Sequence, residues 1–253
     1  MEIIQALILG IIQGLTEFLP VSSSGHLALF QNYIGNVDVG FDVVLHLATL
    51  LAVVIFFFKD ILLLIKGFFS FDWRNEDFRT SIFIVIASIP IAFIGYFFRY
   101  YIYGFFSNLY VVSIGFFISG MFLFVASFSK AKSKLGLGNT FVVGVTQALA
   151  LIPGISRSGS TVSTGMLLGI KRDKAIRFSF LLAIPAMLGA FILNFTDIKT
   201  LEIWPFLIGF IAAFFAGLFA IFVFIRYLKV ERFRYFAYYC WFLCLVSFVM
   251  IWI

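Results

Sequence analysis

Six long apolar runs dominate the sequence and decide which class of fold it can adopt. Each is close to the roughly 20 residues that a helix needs to cross the hydrocarbon core of a membrane. The runs are Val43–Phe58, Ile82–Phe98, Leu109–Phe128, Phe178–Phe195, Ile203–Ile225 and Tyr235–Ile253. Only 12% of the residues are charged and the mean hydropathy is +1.11, a balance that does not suit a water-soluble core. The sequence therefore predicts an all-α, polytopic membrane protein with six transmembrane helices.

Two further apolar regions are each interrupted by a short stretch rich in Pro, Gly and Ser. Ile3–Leu19 is followed by PVSSSGH and the run Leu27–Ile34, and Thr140–Ile152 is followed by PGISRSGS and the run Thr161–Ile170. The piece after each break is about eight to ten residues long, which is roughly half a membrane thickness. We therefore expect two re-entrant helical hairpins in addition to the six crossings.

The two broken regions are copies of each other, at an offset of 134 residues without a gap. The identical pairs are Gly10 and Gly144, Gln13 and Gln147, Leu15 and Leu149, Ser22 and Ser156, Ser24 and Ser158, Gly25 and Gly159, and Gly35 and Gly169. This duplication predicts a single membrane domain, 1–253, built from two repeats of about 1–134 and 135–253. With three crossings in each half, the second repeat is inverted relative to the first, and the hairpin tips should meet near the middle of the membrane.

Lysine and arginine are distributed unevenly over this topology. Fifteen of the 18 lie in four segments on one side, and only Arg99 and Lys199 lie on the other. If the broken regions crossed fully, the split would be nine to eight. Because cytoplasmic loops collect Lys and Arg, the pattern favours hairpins that return and places both termini outside. The segments expected to be cytoplasmic are Lys59–Ser81, Ser129–Asn139, Lys171–Arg177 and Arg226–Arg234.

Glu17 and Arg157 are the two charged residues that fall inside the broken regions. An ionisable group at membrane depth is costly, and it is usually paired or functional. One hypothesis is an ion pair that pins the two hairpins together. We favour an anion site, because the tips also carry a density of hydroxyl groups and glycines that an ion pair does not need. These tip residues are Ser22, Ser23, Ser24, Gly25 and His26 in the first hairpin and Gly154, Ser156, Ser158, Gly159, Ser160 and Thr161 in the second.

The chemistry of these residues suits a phosphate. The short helices after each break direct free backbone N–H groups and positive dipole ends at the tips, and the Arg157 guanidinium offers a fork that matches phosphate oxygens. Gln13 and Glu17 lie one helical turn apart, so together they could hold a divalent cation, Mg²⁺ or Ca²⁺. His26 is the residue at the tips whose side-chain type ordinarily titrates near neutrality. His46 lies inside the run Val43–Phe58, away from these polar residues, and it is interpreted as a packed or hairpin-supporting residue. The predicted phosphate-binding residues are Ser22, Ser24, Gly25, Ser156, Arg157, Ser158, Gly159 and Thr161.

The segments QGLTEFLPVSSSGH, at Gln13–His26, and PGISRSGST, at Pro153–Thr161, resemble the two signature motifs of the undecaprenyl-diphosphatase (bacitracin-resistance) family. The resemblance covers the whole length of the chain. It implies hydrolysis of undecaprenyl diphosphate to the monophosphate lipid carrier used in cell-wall synthesis, usually with a divalent cation. The site is implied to open to the outer face of the cytoplasmic (inner) membrane.

The same resemblance implies the roles of single residues. The catalytic residues are expected to be Glu17, Ser23, His26 and Arg157, and the cation ligands Gln13 and Glu17. Gln13 takes a position where the family pattern admits Glu or Gln, so one negative charge is absent from the cation site. The attacking group stays open between His26, Ser23 and water.

A transporter or flippase of the lipid phosphate is the alternative function, because inverted repeats with broken helices are a transporter architecture. The expected partners are the polyprenyl diphosphate substrate and membrane lipid. A homodimer stays open, and no nucleic acid is expected, because membrane topology already accounts for the net charge of +6.

Overall fold

The computed structural model describes residues 2–34, 39–133, 135–195, 202–227 and 230–252. Within these ranges the chain is helical, with no β-strand beyond an isolated bridge between Ser133 and Ile170. The α-helices are α1 (Ile3–Phe18), α2 (Ser23–Ile34), α3 (Val39–Phe56), α4 (Phe58–Phe68), α5 (Glu76–Phe97), α6 (Arg99–Phe106), α7 (Leu109–Ala126), α8 (Leu137–Leu149), α9 (Arg157–Leu167), α10 (Arg172–Asn194), α11 (Ile203–Tyr227) and α12 (Phe233–Met250). The predicted all-α class is confirmed. Gly35, Val37 and Lys199, which enter the expected repeat and loops, lie outside the described residues.

Five of the described helices, α5, α7, α10, α11 and α12, are long and apolar enough to cross a membrane. A sixth candidate consists of α3 and α4 taken together, although these two helices are bent by 77° at the break between them. The predicted run Val43–Phe58 thus lies mainly in α3, and the chain turns sharply where that run ends. The protein is therefore a multi-pass membrane protein with five or six candidate crossings among the described residues.

Both broken apolar regions fold as two short helices joined by a non-helical tip. Residues 19–22 separate α1 from α2, and residues 150–156 separate α8 from α9. The second helix of each pair, α2 with 12 residues or α9 with 11, is about 17–18 Å long, little more than half of the hydrocarbon core. The helix pairs occur where the sequence predicts hairpins, and we call them the first hairpin (α1 and α2) and the second hairpin (α8 and α9).

Each hairpin packs against helices from the other half of the sequence. The first helix of the first hairpin, α1, lies along α11, while α8 of the second hairpin lies along α5. Other close pairs also join the halves, namely α3 with α11, α5 with α10, α3 with α10 and α7 with α12. The apolar core is therefore shared between the two halves of the chain.

Gly10 and Gly144, an identical pair in the repeat, make these two crossings possible. A Cβ atom added at Gly10 would lie 2.5 Å from the carbonyl oxygen of Gly209 in α11. A Cβ atom added at Gly144 would lie 2.6 Å from the carbonyl oxygen of Ala87 in α5. Small residues at membrane helix crossings let two backbones approach closely. The repeat thus retains a glycine at the point where the first helix of each hairpin contacts the opposite half.

Replacing Gly144 by alanine should destabilise the fold, because the new methyl group meets backbone that cannot move aside cheaply. We expect a cost of about 1–3 kcal/mol, seen as a fall of roughly 3–10 °C in the melting temperature of the detergent-solubilised protein. Gly138→Ala, in the same helix, is the matched control, since a Cβ atom there meets nothing within 4 Å. Equal melting temperatures for the two variants would contradict the close crossing of α8 and α5.

Phenylalanine side chains fill the space between the first hairpin, α3 and α10. The ring of Phe180 meets the rings of Phe18 and Phe57 edge-on, with centroids 5.6 and 6.0 Å apart, and all three side chains are buried. Such aromatic pairs contribute about 0.5–1.5 kcal/mol beyond their buried area. Phe18 follows Glu17 in the chain, so this packing fixes the end of α1 at which the charged site lies.

Candidate active site

The tip of the first hairpin turns at Ser22, whose φ angle of 65° lies in the left-handed region. This conformation costs a residue with a side chain roughly 1–2 kcal/mol, so local hydrogen bonds must hold it. The Oγ atom of Ser22 accepts from the backbone N–H of Gly25 at 3.2 Å, and its carbonyl oxygen accepts from the N–H of His26 at 3.2 Å. The tight turn starts α2 in a direction that brings Ser23 back to the end of α1.

Glu17 is the centre of the site and is 8% exposed. One carboxylate oxygen, Oε2, accepts from the Ser23 hydroxyl at 2.6 Å and from the Gln13 amide Nε2 at 3.0 Å. The other oxygen, Oε1, lies 2.5 Å from Nη2 of Arg157. The side chains of Gln13, Ser23 and Arg157 are thus all connected through Glu17 in one cluster. Hydrogen bonds to an ionised group are short and strong, which stabilises this cluster.

The second hairpin presents Arg157 through a tip that α7 anchors. Gly154 has a φ angle of 91°, which suits glycine, and its carbonyl oxygen accepts from the Ser119 hydroxyl at 2.8 Å. The same Ser119 oxygen accepts from the backbone N–H of Ser156 at 2.7 Å. Ser156 then caps α9, because its Oγ atom accepts from the N–H of Gly159 at 3.0 Å. Arg157 is the first residue of α9 and is held in place by this cap.

The two hairpin tips contact each other. Besides the ion pair of Arg157 with Glu17, the Ser158 hydroxyl donates to the carbonyl oxygen of Leu19 at 3.1 Å. The backbones also approach closely, since a Cβ atom added at Gly25 would lie 3.0 Å from Cα of Gly154. The two signature segments of the internal duplication thus lie together, and the ion pair considered as the alternative to an anion site is present.

His26 belongs to the same tip, but both of its ring nitrogens are already bonded. Nδ1 lies 2.7 Å from the carbonyl oxygen of Ser22, and Nε2 lies 2.9 Å from the hydroxyl of Tyr239 in α12. Because a carbonyl only accepts, Nδ1 carries the hydrogen, and in the neutral ring Nε2 accepts from Tyr239. The lone pair that a nucleophile or base would use is therefore occupied by Tyr239.

The remaining predicted phosphate-binding residues line the same tips, where their polar groups already have partners. Thr161, for example, donates to the carbonyl oxygen of Arg157 at 2.7 Å and contacts the Ser179 hydroxyl at 2.6 Å. These groups shape the surroundings of Arg157, and a bound phosphate would exchange with some of their hydrogen bonds. The set comprises Ser22, Ser24, Gly25, Ser156, Ser158, Gly159 and Thr161.

His46 of α3 lies at Glu17, so the expectation that it has no polar company is wrong. Its Nε2 atom is 3.8 Å from Oε2 of Glu17. The contact joins residues far apart in the chain, and nothing in the local sequence pattern indicates that this face of α3 packs on the end of α1. For the same reason, the sequence pattern does not indicate the residues that support the tips, namely Tyr239, Ser119 and Ser179. Each of them is a polar residue within an apolar span.

Two buried polar atoms of the cluster have no hydrogen-bond partner among the described residues. They are Oε1 of Gln13 and Nη1 of Arg157. Burying an unsatisfied polar atom is costly, so each of these atoms marks a place where a ligand would be favourable. The first is an acceptor and suits a cation beside Glu17, while the second is a donor and suits a phosphate oxygen.

The fold and the site together define a multi-pass membrane protein with a buried, carboxylate-bound serine beside an arginine, a set of groups suited to phosphoryl transfer. Comparison with known families narrows this class. The family model described as bacitracin resistance protein BacA matches residues 6–246, and the chain belongs to this family. The family resemblance indicated by the two sequence motifs is confirmed.

Related proteins match over nearly their full length. A protein of Desulforapulum autotrophicum is 38% identical over 275 aligned residues, covering 98% of this chain and 98% of the relative. Proteins of Methanobrevibacter smithii and Christiangramia forsetii are 37% and 40% identical, covering 98% and 95% of this chain and the same shares of the relatives. All three relatives are named undecaprenyl-diphosphatase.

Proposed function

We propose that this protein hydrolyses undecaprenyl diphosphate to undecaprenyl phosphate and inorganic phosphate, and so recycles the lipid carrier of cell-wall polymer synthesis. Family membership and the names of the relatives support this function. The observation that carries it is the contact of Ser23 with Glu17 at 2.6 Å, beside an arginine with an unpaired Nη1 atom. Attack on a phosphate requires a nucleophile whose proton can be accepted by a base, here a hydroxyl hydrogen-bonded to a carboxylate, and a cationic donor that binds the phosphate.

In the proposed reaction the terminal phosphate of the lipid binds at Nη1 of Arg157. The Ser23 oxygen attacks the terminal phosphorus while its proton passes to Oε2 of Glu17. The bond from that phosphorus to the bridging oxygen breaks, so undecaprenyl phosphate leaves and Ser23 carries the phosphoryl group. Glu17 gives this proton to the departing bridging oxygen. It then takes a proton from the water that attacks the phosphoserine and returns that proton to the Ser23 oxygen as the bond to phosphorus breaks and inorganic phosphate leaves.

Ser23 is favoured over His26 as the attacking group because their hydrogen bonds differ. The Ser23 hydroxyl donates to a carboxylate that can take its proton, whereas Nε2 of His26 is occupied by Tyr239. His26 instead orients the tip, since it bridges the Ser22 turn and α12. We therefore propose His26 as a positioning residue of the catalytic group that also contains Glu17, Ser23 and Arg157.

A divalent cation, Mg²⁺ or Ca²⁺, is proposed to bind at Gln13 and Glu17. The unpaired Oε1 of Gln13, next to a carboxylate, fits such an ion. When bound, the cation would offset the negative charge of the diphosphate beside Glu17. The hydroxyl and amide groups of Ser22, Ser24, Gly25, Ser156, Ser158, Gly159 and Thr161 are proposed to complete the phosphate site around Arg157.

The direct test is phosphate release by the purified protein in detergent from a polyprenyl diphosphate. Hydrolysis needs no second compartment, whereas transport does, so release in detergent separates an enzyme from a carrier. The comparisons give no support to the carrier alternative, since the relatives are named for hydrolysis of a diphosphate. Failure of the wild-type protein to release phosphate with any divalent cation would overturn the proposed function.

Arg157→Lys should lower phosphate release by more than tenfold, the equivalent of about 1.4 kcal/mol. Lysine keeps the charge, but it cannot contact Glu17 and a phosphate through two nitrogens of one planar group, as Nη2 and Nη1 allow. The rate should be measured at saturating and limiting substrate. Near-normal turnover in a monodisperse Arg157→Lys protein would show that charge alone is sufficient.

We further propose that the two halves are inverted repeats and that both hairpins are re-entrant. The packing between the two halves supports this arrangement. In the first half α1 lies along α11 of the second, and in the second half α8 lies along α5 of the first. In the proposed orientation the protein lies in the cytoplasmic (inner) membrane with both termini outside, and the site opens to the outer face. The uneven distribution of Lys and Arg supports this orientation.

Cysteine labelling tests this topology in a background from which Cys240 and Cys244 have been removed. Cysteine introduced at Ser107, or at Val37, should react with an impermeant reagent from outside intact cells, and cysteine at Ser133 should react only after the cells are opened. Ser107 and Ser133 are exposed, so the labels can reach them. The opposite pattern would reverse the orientation, and labelling of all sites from one face would contradict the number of crossings.

A further inference from the structure

The two histidines of the chain have opposite hydrogen-bonding states at the same site. Nδ1 of His46 lies 2.8 Å from the carbonyl oxygen of Asp42, one helical turn earlier in α3. The carbonyl can only accept, so Nδ1 carries the hydrogen and the lone pair of the neutral ring is on Nε2. In His26 that lone pair accepts from Tyr239. In His46 it faces Oε2 of Glu17.

The distance between His46 and Glu17 does not correspond to a hydrogen bond. At 3.8 Å, Nε2 and Oε2 are too far apart for one. A lone pair that faces a carboxylate oxygen with no hydrogen between them leaves a place where one cation can bind both atoms. Two ligands of one cation, each about 2.1–2.2 Å from it, lie about 3.0–3.6 Å apart, which is close to the observed separation. The side chain of His46 is 35% exposed, so an ion can reach it.

The side-chain amide of Gln13 offers a third candidate ligand. The amide nitrogen of Gln13 donates to Glu17, and the oxygen of the same amide is buried without a partner. Among the described residues no group of three or more His, Cys, Asp or Glu side chains could hold a metal ion, and the candidate donors here are two such side chains and one amide oxygen. Water and the substrate phosphate would fill the remaining positions, as is common for small divalent cations.

The second repeat shows that packing does not require this polar pair. At the offset of 134 residues, Glu17 corresponds to Leu151 and His46 to Phe180, so the second half has an apolar pair in place of a carboxylate and an imidazole. Phe180 packs in the aromatic core. Gln13, by contrast, is matched by Gln147. The carboxylate and the imidazole are therefore specific to the half that carries the proposed reaction.

Building on the proposed cation at Glu17, we propose that His46 is its third protein ligand, with Nε2 bound directly to the metal. An imidazole ligand suits transition metals such as Zn²⁺ better than Ca²⁺, and Mn²⁺ is the paramagnetic probe with which a bound nitrogen can be detected. The site should therefore bind Mn²⁺ with a nitrogen in its coordination shell, which carboxylate and amide oxygens alone would not give.

Pulsed electron paramagnetic resonance of Mn²⁺ bound to the purified protein, without substrate, tests this assignment. The parent protein should show the modulation of a directly bound nitrogen. His46→Gln should abolish the modulation and weaken Mn²⁺ binding at least tenfold, while His26→Gln, the matched control, should keep the modulation. His46→Phe, which introduces the residue of the second repeat, should behave like His46→Gln and serves where the glutamine variant aggregates.

The other outcomes separate this assignment from the proposed function. Nitrogen modulation or unchanged Mn²⁺ affinity in a folded His46→Gln protein would overturn the role of His46. If Glu17→Gln nevertheless lost Mn²⁺, the proposed cation site would remain. Absence of Mn²⁺ binding in the parent protein would overturn the cation ligands altogether. Phosphate release by the metal-free protein would then decide the phosphatase activity separately.

Discussion

Ser23→Ala should abolish the release of phosphate from undecaprenyl diphosphate, with a fall in kcat of about 10⁴-fold or more. The substitution removes the oxygen that donates to Oε2 of Glu17, and with it the proposed attacking group. Fold and substrate binding should survive, because Arg157 and the hairpin tips keep their contacts. In the parent protein, rapid quenching during turnover should trap a phosphoryl group on the peptide that contains Ser23, as detected by mass spectrometry.

Ser163→Ala is the control for this result. Ser163 lies in α9 of the second hairpin, is fully buried, and its hydroxyl has no partner among the described residues. The same change in chemistry at this position should leave the activity unchanged. If the Ser23→Ala protein kept a tenth or more of the parent rate, water or His26 would have to be the attacking group, and no phosphoserine should then be found.

Glu17→Gln should lower phosphate release by about 10²–10⁴-fold, because the amide cannot take a proton from Ser23. The variant keeps the size of the side chain and an oxygen that Arg157 can contact, so it should remain folded. Chelation of divalent cations should also inhibit the parent protein. The measurements are the rate of phosphate release and the elution profile and melting temperature of the variant.

The competing explanation, a purely structural ion pair, predicts a different pattern. Leaving Arg157 without a charged partner in a buried place should then cost several kcal/mol, seen as aggregation or a much lower melting temperature, while any folded fraction stays active. Glu76→Gln is the matched control, since Glu76 pairs with Lys174 at 2.9 Å on the surface, where an ion pair contributes little. Unchanged release by a monodisperse Glu17→Gln protein would contradict the catalytic role.

The features that the sequence predicts best are those encoded by local pattern or by repetition. Apolar runs identify the spans because the membrane imposes a minimum length on them. The duplication predicts the two helix pairs and a meeting of Glu17 with Arg157, because the duplicated segments are expected to converge as they do in inverted repeats. Gly10 and Gly144 are an identical pair in that duplication, and the structure gives the reason, since each lets an α-helix touch another backbone.

The features that the sequence does not predict depend on contacts between distant spans. His46 and Tyr239 reach the site from α3 and α12 because of how those helices are rotated, and an almost uniformly apolar span carries no periodic signal for rotation. The same limit applies to hydrogen bonds. By residue type, His26 and Ser23 are equally suitable attacking groups. Only their hydrogen bonds distinguish them, because the Ser23 hydroxyl donates to Glu17 whereas Nε2 of His26 is occupied by Tyr239.

The exchange of helices between the halves has a consequence for biosynthesis. Gly10 contacts Gly209, so α1 leaves the ribosome about 200 residues before the helix on which it packs. At about 5–20 residues per second this is a delay of roughly 10–40 s. For about the first 140 residues of that delay, or roughly 7–28 s, a segment carrying Gln13 and Glu17 must wait beside the insertion machinery without Arg157, which is still unmade. Nascent chains that stop before α11 should therefore be substrates for quality-control proteases, however well their first spans insert.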